Sequence, residues 1–251
     1  LGAGFLCGLL AATPDMRASV DAYYDENRLM DVRVVSTLGL TDEDLQAVRD
    51  TQGVQEAEPG YSVDILADTA GEKEVATRVH SLPQEINRLE LLDGRLPESE
   101  NECVVDIPTG LGLDISVGET LTFDLEGSGQ EDAFSSSTYT VVGIVNSARY
   151  FSIDRENTSV GNGSISLFVY LPKESFSLDA YTDIYLLVNG AAQQEAFSGE
   201  YDDTIATVTQ RLEELAQSRA QARTDEVVAE AKNQLEEARQ EYETAKADTE
   251  K

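Results

Sequence analysis

The spacing of apolar positions changes along this chain, and each change predicts a different kind of element. Over residues 14–29, Met16, Val20, Tyr23 and Tyr24 fall roughly on one face of a helix. Asp31 to Ser36 then alternates and is rich in valine, as a half-buried strand is. Thr41 stands where a helix would be capped, with an acid three residues later and Leu45 and Val48 as the apolar face. Gly53 ends that helix and Val54 to Ala57 opens another strand. The middle of the chain is strand-rich, with expected strands over Tyr61–Ala67, Glu74–His80, Arg88–Leu92, Glu102–Asp106, Thr120–Leu125, Tyr139–Asn146, Ser166–Leu171 and Asp183–Val188. Asp93-Gly94, Pro108, Gly118, Gly127 and Gly161-Asn162-Gly163 punctuate them. Glu126 to Ser137 reads as a polar hairpin loop. Arg149 to Ser164 reads as an irregular stretch anchored by Tyr150, Phe151 and Ile153.

Past Asn189-Gly190, Ala191 to Phe197 predicts a short helix, and from Ile205 to Lys251 there is neither Gly nor Pro. Glu, Gln, Ala, Arg and Lys dominate this last segment, all good helix formers. Apolar residues recur at Ile205, Val208, Leu212 and Leu215, and again at Val228, Ala231, Leu235, Ala238 and Tyr242. Alternating steps of three and four are the seam of a coiled coil. The two halves are out of phase, so local over- or underwinding is expected near Arg219–Glu226. A helix of this length, roughly 70 Å at 1.5 Å per residue, is expected to project from its domain. The pattern stops in mid-repeat, so the segment reads as truncated, with a returning helix or another chain as its partner. The alanine-rich second half also fits a solvated single helix.

Charge narrows the function. Forty-eight acidic residues against 18 basic ones give a net charge of −30 over 251 residues. Such a surface repels nucleic acid, which is bound through Lys and Arg, and it suits a soluble, exposed position. The first twelve residues, Leu1 to Ala12, carry no charge at all. As a helix they would reach roughly 18 Å, short of the roughly 30 Å of a bilayer core. No basic segment precedes them as in a signal peptide. Residues 1–13 therefore read as the outer end of a transmembrane helix, with Thr13-Pro14-Asp15 as the exit and the start of the next helix.

Candidate chemistry is sparse. His80 is the single histidine, so a His-rich metal site cannot be built. Cys7 and Cys103 make neither a CxxC pair nor a disulfide framework. No Gly-x-Ser-x-Gly elbow and no phosphate-cradling loop ending in Lys occurs. Acid clusters such as Asp42-Glu43-Asp44 and Asp202-Asp203 sit at helix starts, where they satisfy the helix dipole, and lack calcium-loop spacing. No catalytic residue, metal ligand or cofactor is assigned.

Three segments read together carry a resemblance. The first is Pro14-Asp15-Met16-Arg17 followed by Leu29 to Ser36. The second is Leu92-Asp93-Gly94-Arg95-Leu96-Pro97, then Asn101-Glu102-Cys103-Val104-Val105-Asp106 and Val117-Gly118-Glu119-Thr120-Leu121. The third is Tyr139-Thr140-Val141-Val142-Gly143-Ile144-Val145. Their order over residues 1–200 resembles the extracytoplasmic core domain of MacB/FtsX-type ABC-transporter permeases. Gly94, Arg95, Pro97, Asn101, Glu102, Gly118 and Gly143 are the family-motif positions. Four of them have a structural rationale: Gly94 permits a turn, Pro97 rigidifies it, Gly118 starts a strand after a turn, and Gly143 within a strand marks a bulge or close backbone approach.

The resemblance implies an α+β, two-lobed ectodomain over 14–200. An α/β lobe would form from about 28–68 and 180–200 and a β-rich lobe from about 70–170, followed by the coiled-coil helix 201–251. It also implies a membrane-anchored permease, dimeric, with this domain on the extracellular side. ATP hydrolysis would fall to a separate cytoplasmic ATPase, and its motion would be passed outward to drive export or to act on an outside partner. The helical arm departs from compact members and suits the larger permeases of Gram-positive bacteria. Two rival readings are a cell-surface adhesin or scaffold with a membrane anchor and coiled-coil stalk, and a secreted hydrolase using paired carboxylates.

Overall fold

The computed structural model describes residues 16–71, 74–106, 113–150 and 156–249. The expected membrane exit over residues 1–15, with Cys7, and the anchors Phe151 and Ile153 lie outside the described residues, as does the side chain of Tyr242. No helix among the described residues is long and apolar enough to cross a membrane.

Helix α1 covers residues 16–26. It leads into a three-stranded antiparallel sheet in the order β1 (Val32–Leu40), β10 (Tyr181–Val188), β2 (Val54–Gly60). Helix α2 (Asp42–Arg49) connects β1 to β2. Its start is the capping box expected at Thr41: the Asp44 amide donates to Thr41 Oγ1 at 3.3 Å, and the Thr41 amide donates to Asp44 Oδ2 at 2.8 Å. Leu45 and Val48 are buried beneath it. Strand β1 runs on past Ser36 to Leu40, through an irregularity between Val35 and Leu40. Strand β2 runs on through Pro59, which the edge of a sheet tolerates because no inner ladder needs its missing N–H.

The second sheet holds β3 (Ser62–Asp68), β4 (Val75–Ser81), β5 (Leu89–Gly94), β6 (Glu102–Asp106), β7 (Thr120–Asp124), β8 (Thr138–Ser147) and β9 (Leu167–Leu171). Strand β7 pairs with β3 on one side and β8 on the other, so β8-β6-β9-β4-β3-β7 closes into a ring. Strand β5 then takes up the same side of β8 where β7 leaves it: β7 pairs with Thr138–Thr140 and β5 with Gly143–Ser147. Closure removes the exposed edges that an open sheet would leave. One core fills the ring, including Ile65, Val79, Leu121, Phe123, Tyr139, Val141, Leu167 and Val169. A second, with Val104, Val142, Val145, Ile165, Phe168 and Tyr170, covers the outer face of the same strands. That double covering is why β4 and β9 are buried at every position while β3 and β7 alternate.

Strand β3 falls within the 28–68 stretch expected in the α/β lobe, yet it belongs to the seven-stranded sheet, and the chain changes sheet at Gly60-Tyr61. The polar stretch 126–137 does join β7 to β8, but Phe134 is buried in the barrel core and bridges to Phe176. A lone Ala133-Phe134 in polar surroundings has no periodicity to announce it. The short helix expected over Ala191–Phe197 is only a 3-10 turn, Ala191–Gln193, entered through left-handed Gly190.

Helix α3 runs from Gly199 to Thr249 without interruption at Arg219–Glu226. The chain divides into two units, Leu1–Val208 and Thr209–Lys251. Along the expected seam, Val208 and Leu212 are buried and Ile205 and Leu215 half-buried. Val228, Ala231, Leu235 and Ala238 are exposed, Leu235 at 71%.

Candidate functional site

The family-motif positions, scattered over fifty residues of sequence, meet at the place where β5 hands over to β7 along β8. Arg95 N donates to the Val142 carbonyl at 2.9 Å, Gly118 N to the Val141 carbonyl at 2.8 Å, and Thr140 N to the Asn101 carbonyl at 2.9 Å. Strand β8 carries a bulge here, with Cys103 opposite Val141 but Val104 opposite Gly143. Gly94 and Gly143 let the two backbones touch. A β-carbon on Gly94 would stand 2.2 Å from the Val142 carbonyl oxygen, and one on Gly143 would stand 2.4 Å from that of Arg95. Gly94 also has φ of 75°, while Gly118, at φ of 96°, faces open space. Arg95 grips Glu102 through two parallel bonds of 2.8 and 2.5 Å, and Glu102 also accepts from Glu98 N at 2.8 Å. The Arg95 bond and the Glu98 amide hold the Glu102 carboxyl well down, to about 2. Pro97 and Ser99 lie in the loop so clamped, with Ser99 Oγ donating to Asn101 Oδ1 at 2.9 Å. Together these contacts form a joint between β5, β6 and β8.

A second polar constellation, which sequence reading missed, ties the two sheets together. Arg33 on β1 pairs with Asp183 on β10 and reaches Glu156 at 4.0 Å. Glu156 pairs with Arg78 on β4, which also holds Asp64 on β3 through bonds of 2.6 and 2.8 Å. The hydrogen bonds that Arg78 donates to Asp64 push its guanidinium above the ordinary arginine value. Below this bridge, Glu58 of β2 accepts three backbone amides, from Gln84, Glu85 and Ile86, at 2.7, 2.8 and 3.0 Å. Asn87 Oδ1 accepts from Met30 N at 2.9 Å, so the 84–88 segment is also fastened to the exit of α1. Thr182 Oγ1 accepts from Ser62 N at 2.7 Å, bonding β10 to β3.

His80 lies under the same junction, 1% exposed, with Nε2 2.5 Å from the Tyr150 hydroxyl and its ring packed on Tyr150, Phe168 and Tyr170. The Arg149 guanidinium stacks over the Tyr185 ring at 4.7 Å, joining the barrel to β10. Burial first, then the charges of Arg149, Arg78 and Arg33, push the imidazole well below its ordinary range. Burial pushes the Tyr185 phenol up to about 12 and the Cys103 thiol up as well. These groups are packed, neutral and shut away from solvent. Among the described residues no group of His, Cys, Asp and Glu could hold a metal. The signal that could have found the junction is the charge within strands: Arg33, Asp64, Arg78 and Asp183 each interrupt an apolar run.

Three comparisons bear on identity. The extracellular domain of the noncanonic ABC-type transporter YknZ from Gram-positive bacteria is 13% identical, covering 63% of this chain and 78% of that one, with a TM-score of 0.40. The periplasmic region of MacB from Actinobacillus actinomycetemcomitans is 13% identical over 72% of this chain and 75% of that one, with a TM-score of 0.39. No curated protein matches the sequence. The MacB-like periplasmic core domain family matches residues 1–238. A match over nearly the whole length shows that this chain belongs to the family of MacB-like periplasmic core domains.

Proposed function

We propose that this chain is the extracellular part of an ABC-transporter permease, in which ATP hydrolysis by a separate cytoplasmic subunit is passed outward as motion. The family match over residues 1–238 is the observation that carries this reading. The way the sheets are joined supports it. A body that relays movement must resist shear between its parts, and the Arg33–Glu156–Arg78 bridge, the Glu58 nest and the Arg149–Tyr185 stack oppose such shear. On this proposal the α/β lobe comprises β1, α2, β2 and β10, with the chain leaving it at Gly60, and residues 1–13 continue a membrane helix. The permease works as a dimer, and the moved object is an exported substrate or an outside partner.

The exposed second half of the α3 seam supports a helical partner, either a returning helix of the same protein or one from another chain. The deciding experiment is purification of the full-length permease from its native membrane. Co-purification of an ABC ATPase, with activity altered by deleting residues 32–188, is the expected result. A permease that comes away without any nucleotide-hydrolysing subunit would sink the proposal.

A further inference from the structure

An apolar patch on α1 points to a contact that the family match does not assign. Met16 is 67% exposed and Phe197 54% exposed, and with Arg17 and Val20 they line one shallow depression. Met16 and Val20 are four residues apart and share a face of α1. Phe197 reaches them from a distant part of the chain because the segment before α3 is fastened to α1. Ala196 N donates to Asp21 Oδ1 at 2.7 Å, and the Phe197 ring lies 6.4 Å from that of Tyr24. A phenyl ring is thus held in place and still turned to solvent.

We propose that this patch rests on the membrane surface, with Phe197, Met16 and Val20 entering the lipid boundary and Arg17 meeting the headgroup phosphates. This inference rests on the membrane-anchored reading above. The uncharged run Leu1–Ala12 ends four residues before Met16. Four residues span at most about 14 Å even fully extended, so the patch stands within that distance of the end of the run. Aromatic side chains favour the interfacial layer, and an arginine stem lies along apolar surface while its head stays at the phosphates. Among the described residues the lining is Met16, Val20 and Phe197 with one cation, Arg17. The arginine would pair with lipid phosphate or protein carboxylate alike; the uncharged run beside the patch is what favours the lipid surface. The contact would set the height and tilt of α1 on the bilayer, so that movement of the anchor is delivered to the sheets and not lost in a loose neck.

The chain has no tryptophan, so one introduced indole reports alone. Phe197→Trp, Met16→Trp, Leu10→Trp and, on the barrel, Val117→Trp are incorporated in turn into phosphatidylcholine vesicles, with and without bromine on the upper acyl chain. An interfacial side chain reaches about 5–10 Å into the boundary, so roughly twofold or greater quenching by the brominated lipid is expected at 197, 16 and 10, and none at 117. Quenching at 10 with none at 197 and 16 overturns this contact and leaves the anchor standing. No quenching at 10 overturns the anchor and the contact together. Equal quenching at 117 and 197 overturns the specificity of the patch.

Discussion

At Gly143 an alanine β-carbon would sit 2.4 Å from the Arg95 carbonyl oxygen, and the obstacle is backbone on both sides. Gly143→Ala is therefore expected to cost about 1–3 kcal/mol through overpacking, read by urea titration. Gly118→Ala meets no neighbour within 4 Å and carries only the strain of its positive φ. It is expected to cost less, about 1 kcal/mol. The reverse order would show that the two strands do not meet at Gly143. His80 yields a pH dependence. Its folded pKa lies well below the 6.5 of a free imidazole, so below about pH 6.5 the unfolded chain binds a proton that the folded chain refuses. Stability is therefore expected to fall with acid by about 1.4 kcal/mol per pH unit below that point, and to be fully present above it. His80→Phe keeps a ring in the stack and is expected to abolish that slope between about pH 6.5 and about pH 5.5, above the ordinary carboxylate range, in the same titration. Gly94 and Gly143 were legible in the sequence as special backbone positions, because glycine within strand and turn runs has few other reasons. Their contact with each other was not legible, since it depends on β5 pairing with β8 in the register that sets Gly94 opposite Gly143.

Between elements, the charged groups of the sheet junction differ in exposure. The Arg78 side chain is 10% exposed and Asp64 23%, whereas Glu156 is 42% exposed. Arg78→Met is expected to cost about 3 kcal/mol because it strands a half-buried carboxylate; Glu156→Gln is expected to cost no more than about 1 kcal/mol. Thermal unfolding of the two variants gives the comparison, and equal losses would refute the ranking. Glu156→Gln is the more informative for coupling, since the Glu156 carboxylate faces both Arg33 and Arg78, and faster hydrogen exchange in β1 is its expected signature. In α3, Leu235 is 71% exposed, so Leu235→Lys is expected to leave the unfolding midpoint of the chain unchanged. It is expected to weaken pairing with a returning or partner helix in the full-length protein, read as lost amide protection around residues 228–240. A large fall in the stability of the chain itself would mean that Leu235 already has a partner within it. Strands and helices were read from the sequence largely in place. Alternation marks β3 and β7, continuous apolar runs mark β9, and the Thr41 box marks α2. The misses differ in cause: Phe134 is placed by distant partners such as Phe176, which local periodicity does not record, whereas left-handed Gly190 opens a 3-10 turn at Ala191–Gln193 whose bonds are local.

On the scale of the whole molecule, a charge of −30 argues against nucleic acid as a partner. The order of the glycine, Asn-Glu and Val-Gly segments resembles that of MacB-like extracytoplasmic domains, and the family match over residues 1–238 agrees with it. Local chemistry along the chain was sufficient for this much: capping, period, turn residues and composition act within a few neighbours and survive in one dimension. Which strands close the ring, that the chain leaves the first sheet after Gly60, and that His80 is held well below its ordinary range among three arginines were decided only in the folded chain. Each depends on residues brought together from far apart, such as Arg33 with Glu156 or Phe197 with Tyr24, and pairings at such separations leave no period in the sequence. Burial then gives them their energies, because the strength of a charge or a ring contact is set by the water that the rest of the fold removes.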